Sequence, residues 1–391
     1  MLNTPFSPWP SFTEEEANAV RDVVLSNKVN YWTGQESREF ERDFAAWSGT
    51  EHAIAVMNGT VALDVAMLAL GVGKGDEVIV TPRTFLASVS SIVNTGAVPV
   101  FADVCADTQN ITAESISAVL TPRTRAIIAV HLAGWPCDMD PIMQLADEHN
   151  LFVIEDCAQA HGALYKGKPV GSIGHVGAWS FCQDKIMTTG GEGGMVTTND
   201  TALWKKMWAL KDHGKSWDAV YEREHAPGFR WLHESFGTNW RMTEMQAAIG
   251  RIQLKRMPKW NEQRLQNANK IWDAARQLKG LRVPTVPADI QHAAYRCYVF
   301  AEPSVLKADW NRDRIINAIV ENGVPCFSGS CSEVYLEKAF DGTDLRPKKR
   351  LEVACELGEI SLMFLVHPTL TEAEIEKTCS MLQQVMTAAT A

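Results

Sequence analysis

Seven short runs rich in apolar residues, at positions 53–56, 77–80, 98–101, 125–130, 151–154, 178–181 and 194–197, punctuate the first half of the chain. They have strand length and little polar alternation, which predicts strands buried on both faces of a sheet. Helical spacing separates most of them, for example at 61–70, 113–120 and 140–149. Strand and helix in alternation predict an α/β fold, with a mostly parallel central sheet covered by helices. In such sheets ligands sit beyond the carboxyl ends of the strands. Asp156 stands just past one of those ends.

The pattern then changes. Residues 246–277 read as a long helix, interrupted near Pro258, that leads into a smaller α+β unit. That unit holds a strand near 295–301, a helix near 309–321 and a last helix from Glu372 to about Met386. Thr371 precedes the last helix with Glu374 three residues on, the spacing of a capping box. The expected division is a large domain at 1–245 and a small C-terminal domain at 246–391. The tail from residue 387 is expected to fray.

Composition removes several classes. The 391 residues, 46% of them hydrophobic, suffice for a large core. A net charge of −10 argues against nucleic acid as a partner, since a nucleic-acid surface is basic. No apolar stretch approaches membrane-span length, and the start of the chain lacks a basic region followed by an apolar one, so a cytoplasmic protein away from membranes is expected. Nine scattered cysteines include no Cys-x-x-Cys pair, which predicts neither a metal site nor a disulfide framework.

The chemistry concentrates around Lys185. The run Gly177-Ala178-Trp179-Ser180-Phe181-Cys182-Gln183-Asp184-Lys185 leads into the glycine-rich segment Gly190-Gly191-Glu192-Gly193-Gly194. A small-residue strand, a polar turn, one lysine and a glycine loop present an amine to a flat ligand. Upstream, an apolar strand ends in Glu155-Asp156. Pyridoxal 5'-phosphate needs both groups: a lysine to carry it, and an acid to keep its ring nitrogen protonated. Asn58-Gly59-Thr60 opens a helix after a strand, and the free amides of a helix start favour a phosphate.

These segments, with Thr84-Phe85, His131-Leu132-Ala133-Gly134, Glu155-Asp156-Cys157-Ala158-Gln159-Ala160-His161-Gly162 and Asn239-Trp240-Arg241-Met242-Thr243-Glu244, resemble the DegT/StrS-type sugar aminotransferases, over nearly the whole chain. The resemblance implies the fold-type I (aspartate aminotransferase) architecture and pyridoxal phosphate. It implies that Lys185 carries the cofactor and moves a proton, its pKa lowered by burial and nearby cations, and that Asp156 pairs with the ring nitrogen. Gln159 is implied near the ring oxygen, Phe85 against the ring face, and Gly59, Thr60 and Ser180 at the phosphate. Asn239 is implied to reach the phosphate of a second subunit, making a homodimer with shared active sites. Arg241 is a weaker candidate for an anionic substrate group; the bland alternative for each of these residues is a cap, a core side chain or a loop contact. His131 and His161 read as satisfied core histidines.

The sequence departs from the family pattern at 325–335, where an aromatic and histidine-containing stretch gives way to Pro-Cys-Phe-Ser-Gly-Ser-Cys-Ser-Glu-Val-Tyr. The expected function is transfer of an amino group from glutamate to a keto-sugar by a ping-pong route, the sugar being a keto nucleotide-sugar or a keto-octulosonate. Two rivals are a cofactor-binding regulator without turnover and a pyridoxamine-phosphate-dependent sugar dehydratase. The dehydratases resemble these enzymes but carry histidine in place of the lysine, so Lys185 argues against that rival.

Overall fold

A computed structural model describes residues 5–225, 227–228 and 230–390. All seven expected strands form one sheet: β1 (His52–Val56), β2 (Glu77–Val80), β3 (Val98–Phe101), β4 (Thr124–Val130), β5 (Phe152–Asp156), β6 (Val176–Ser180) and β7 (Gly194–Thr198). Their order across the sheet is β1-β7-β6-β5-β4-β2-β3. Only β7 runs against its neighbours; the other pairings are parallel.

Alternate residues feed cores on opposite faces. Val78 and Val80 pack into one core with Ile128 and Ile154, while Ile79 packs into another with Ile127 and Val153. This two-sided burial is why the strands read as continuous apolar runs.

A second, antiparallel sheet follows, ordered β8-β9-β11-β10, from β8 (Leu281–Arg282), β9 (Cys297–Ala301), β10 (Cys326–Phe327) and β11 (Ser361–Phe364). Within β9, Cys297, Val299 and Ala301 enter its own core, and Tyr298 and Phe300 enter a core shared with the large sheet. Phe6, near the start of the chain, also packs into the second sheet's core.

Three local expectations need correction. The long helix is unbroken from Glu244 to Arg276 with Pro258 inside it. Proline costs one backbone bond, and here buried residues anchor the helix on both sides of it: Leu254 and Met257 before, and Ala268, Ile271 and Trp272 after. The helix expected at 113–120 stops at Ser117, ahead of Pro122. The last helix, with the predicted Thr371–Glu374 capping box, continues to Ala389, whose carbonyl accepts the Lys307 N–H at 2.9 Å. Tertiary contact thus holds residues 387–390, which were expected to fray; Ala391 lies outside the described residues.

Candidate active site

The carboxyl edge of the large sheet gathers the polar groups. Past β1, the chain turns into α1 (Gly59–Ala69), capped by the Asn58 side chain, which accepts the Val61 N–H at 2.9 Å. The N–H groups of Gly59 and Thr60 stand in the first turn and find no acceptor among the described residues. A Cβ on Gly59 would lie 2.5 Å from the Ser180 Cβ. Glycine therefore lets the helix start settle onto the end of β6. Two open amides, a positive helix end and the Ser180 side chain share one corner, an arrangement that can hold a phosphate.

On neighbouring β5, Asp156 is almost fully buried. Its Oδ2 accepts from the Ser88 hydroxyl at 2.8 Å and its Oδ1 from the Ala158 N–H at 3.1 Å. With its one proton committed there, Ser88 accepts from the Thr84 hydroxyl at 2.9 Å. Burial pushes the Asp156 carboxyl above its ordinary value, against the opposing pull of the Ser88 bond.

Glu155, one residue earlier, serves structure. It accepts from the Gly171, Ile173 and Gly174 amides at 2.6–2.8 Å and from His131 Nε2 at 2.9 Å. Burial opposes its charge, yet these donors hold its carboxyl below the ordinary value. His131 Nδ1 accepts the Cys137 N–H at 3.0 Å, which fixes a neutral ring with its proton on Nε2. His131, Glu155 and Cys157 approach one another closely enough to suggest a metal, but the histidine and glutamate ligand atoms are spent on these bonds.

Gln159 is anchored through Oε1, which accepts the Ala133 N–H at 2.9 Å. Its amide nitrogen has no hydrogen-bond partner among the described residues. Phe85 is no core residue: its ring is 72% exposed at the mouth of the same edge.

Lys185 closes a turn through its N–H to the Cys182 carbonyl at 3.0 Å, and its own carbonyl accepts Trp9 Nε1–H at 2.8 Å. Its Nζ lies 3.3 Å from Asp184 Oδ1 and 5.5 Å from the centre of the Tyr295 ring. The Tyr295 hydroxyl donates to Asp184 Oδ2, and Arg296 Nη2 lies 3.8 Å from that oxygen. Burial acts to lower the lysine pKa, but Tyr295 and Asp184 outweigh it and leave the amine above its ordinary value. The expected lowering is not found, because the groups that reach the amine are the Asp184 carboxylate and the Tyr295 hydroxyl rather than a cation.

Asn239 and Arg241 lie apart, in the loop before the long helix. Asn239 is exposed, bridged to Asp212 by backbone only. Arg241 Nη1 is paired with buried Asp212 at 2.7 Å, so its charge is committed within the chain. The divergent segment packs against the loop that carries Phe85 and against β9: the Val334 N–H reaches the Pro82 carbonyl at 2.9 Å, and the Ser330 N–H reaches the Tyr298 hydroxyl at 2.7 Å. Gly329, at φ 89°, leaves no room for a Cβ, which would meet that hydroxyl at 2.2 Å.

Sequence reasoning missed Ser88, Asp184, Tyr295 and Trp9. Asp184 adjoins the lysine and was open to notice. The other three arrive through tertiary contacts that no local pattern announces.

Against known proteins, the model of the DegT/DnrJ/EryC1/StrS aminotransferase family matches residues 10–383. The chain belongs to this family. It is 38% identical over 383 residues to GDP-perosamine synthase of Caulobacter vibrioides, covering 94% of this chain and 95% of that protein. The X-ray structure of an aminotransferase from Psychrobacter cryohalolentis is 67% identical, with a TM-score of 0.97 over 98% of this chain and 100% of that one. DesV of S. venezuelae, solved with a ketimine intermediate, is 32% identical with a TM-score of 0.84 over 95% and 94% of the two chains. The fold is the fold-type I aminotransferase fold, and the enzyme is a pyridoxal-phosphate-dependent aminotransferase.

Proposed function

We propose that the enzyme transfers an amino group from glutamate to a keto-sugar in two half-reactions at one site, making an amino sugar for a surface polysaccharide or lipopolysaccharide. One observation carries this reading: a buried carboxylate, a lysine amine and an open helix start meet at one sheet edge. The relative named for GDP-perosamine supports a nucleotide-linked keto-sugar in preference to a keto-octulosonate. We place the reaction in the cytoplasm; the nine cysteines are free thiols, and no helix among the described residues is long and apolar enough to cross a membrane.

Bound pyridoxal phosphate supplies an electron sink and a carbonyl that accepts and returns the amino group. Lys185 would hold the cofactor, and its amine would serve as the base that takes the donor's α proton and returns one to the sugar carbon. Asp156 would pair with the ring nitrogen; a protonated nitrogen there would favour the ionised carboxylate that burial alone disfavours. The Gly59 and Thr60 amides and Ser180 bind the phosphate. The free amide nitrogen of Gln159 donates toward the ring oxygen, and Phe85 covers the ring face.

The site is completed by a second copy of the chain, whose Asn239 reaches the phosphate. Trp231 and Phe236, 91% and 99% exposed in the single chain, closely precede that asparagine in sequence and support burial of this loop against a partner.

The direct test mixes holoenzyme with glutamate and no acceptor. Stoichiometric 2-oxoglutarate, with loss of the cofactor's visible absorbance, is expected. A regulatory protein without turnover gives neither.

A further inference from the structure

A second cleft takes no part in the chemistry above. It lies between the helix Glu36–Ser48, the start of β1 and the tryptophan-rich segment at 204–221, and measures about 300 Å³. His52, the first residue of β1, lines it, whereas the helix start of the active site follows Val56, the last. That length of strand, about 13 Å at roughly 3.3 Å per residue, holds the two apart. The wall of the cleft is aromatic. The His52 ring stacks on Trp204, with centres 4.7 Å and planes 14° apart. Trp217 follows, 4.7 Å from Trp204 and 4.4 Å from Tyr221. Trp208, one turn beyond Trp204, is buried and serves the core. Trp204 and Trp217 are only half-buried, and Tyr221 is exposed. Neither half-buried indole N–H has a hydrogen-bond partner among the described residues.

The polar lining is balanced in charge. Glu41 is spent: its carboxylate accepts from the Ala55 N–H at 2.9 Å and the Tyr31 hydroxyl at 3.2 Å, with buried Lys211 3.4 Å away. Glu39 pairs with Arg42. Arg38 and Glu51 remain open. The Arg38 guanidinium lies 5.0 Å from the centre of the Tyr31 ring, donates to the Tyr221 hydroxyl at 3.0 Å and meets no carboxylate among the described residues. Glu51, 68% exposed, comes no nearer to a cationic group among the described residues than 4.0 Å, at His52 Nε2. Three carboxylates thus stand against three cations, counting Lys211 beneath Glu41. Such a cleft selects against a net charge of either sign.

We propose that this cleft is a saccharide site, separate from the active site, that takes one neutral pyranose ring. Ligand pockets run from roughly 300 to 1,000 Å³, so this one has room for a single ring and not for a nucleotide-linked sugar. An aromatic wall suits a ligand with one apolar face, which the C–H groups of a pyranose supply. The open donors, Arg38 and the two indole N–H groups, and the open acceptor, Glu51, suit hydroxyls at its edge, since each hydroxyl both donates and accepts. The ring comes either from a free sugar or from the end of a glycan chain. The inference does not rest on the proposed function, because no residue of the cleft belongs to the reacting centre.

The test uses cofactor-loaded enzyme and follows binding of the methyl glycosides of glucose, galactose and mannose by saturation-transfer NMR and tryptophan fluorescence, at millimolar concentration. At least one glycoside should bind. Glucuronate and glucosamine, its charged counterparts, should bind more weakly. Trp217 also packs on buried Trp208, so the exposed positions carry the mutational test. Glu51→Ala and Tyr221→Leu should each weaken the glycoside at least about threefold, the loss of one hydrogen bond or one ring contact. Both variants should still form 2-oxoglutarate from glutamate at the wild-type rate. A trisaccharide of the preferred sugar identifies the source: tighter binding than the monosaccharide marks a glycan chain, and equal binding marks a free sugar. The inference is overturned if no glycoside binds wild type, if glucuronate or glucosamine binds more tightly than every neutral glycoside, or if both variants bind as wild type does. It is also overturned if Phe85→Ala, at the mouth of the active site, abolishes glycoside binding while Glu51→Ala leaves it intact, since the sugar then sits at the reacting centre.

Discussion

Asp156 shows how one residue's task depends on neighbours far away in sequence. Burial favours its neutral form, and the Ser88 hydroxyl, 68 residues upstream, offsets this by donating to Oδ2. Removing that donor disfavours the carboxylate, so its pKa rises. In Ser88→Ala the acid limb of the kcat/KM profile should therefore move to higher pH; a variant that loses stability but keeps the limb in place would assign Ser88 to packing alone. Asp156→Asn should fold normally and lose roughly a hundredfold or more in kcat, as expected when a preorganised charge is taken from a reacting centre. Near-normal kcat would remove Asp156 from the ring nitrogen. Both Asp156 and Lys185 were legible because a lysine before a glycine loop and an acid after an apolar strand are local signals. Ser88 was not, since serine on a short helix is ordinary until folding brings it to β5.

At the scale of elements, the strands were the most readable part of the molecule. Burial on both faces writes itself into sequence as continuous apolar runs, and residues 77–80 and 98–101 match β2 and β3 residue for residue. Tertiary effects escaped notice for the same reason that local ones did not. Pro258 read as a break, but buried residues on both sides of it, Leu254 and Met257 before and Ile271 and Trp272 after, keep the long helix continuous. The tight seat of α1 on β6 gives a further prediction. Gly59→Ala forces its new Cβ against Ser180, an overpacking that typically costs about 1–3 kcal/mol. It should also tilt the two open amides and speed loss of pyridoxal phosphate on dialysis. Asn58→Ala, which removes only the cap on Val61, should cost about 1 kcal/mol. Equal cofactor retention in wild type and Gly59→Ala would separate this corner from the phosphate.

At the scale of the whole molecule, the single chain looks incomplete. Phe85, Trp231 and Phe236 stand largely exposed, and the Asn239 side chain has no hydrogen-bond partner among the described residues. The sequence pointed to a second subunit only through resemblance at Asn239, because exposure of an aromatic ring cannot be read from its spacing. Two inactive variants should complement one another if sites are shared. Mixed dimers of Lys185→Ala and Asn239→Asp would carry both lesions in one site and neither in the other. Random exchange, with half the dimers mixed and one of their two sites intact, should restore up to about a quarter of wild-type activity. Restoration of none, from variants that each dimerise, would place both residues in one subunit's site.

The central claim is that the Lys185 amine holds the cofactor. Borohydride reduction of the yellow holoenzyme, followed by proteolysis and mass analysis of the peptides, tests it most directly. The account predicts one modified peptide, carrying the cofactor's mass on Lys185, and no modification once glutamate has first converted the enzyme. A modified lysine elsewhere, or a cofactor that washes out of the reduced protein unattached, would contradict it.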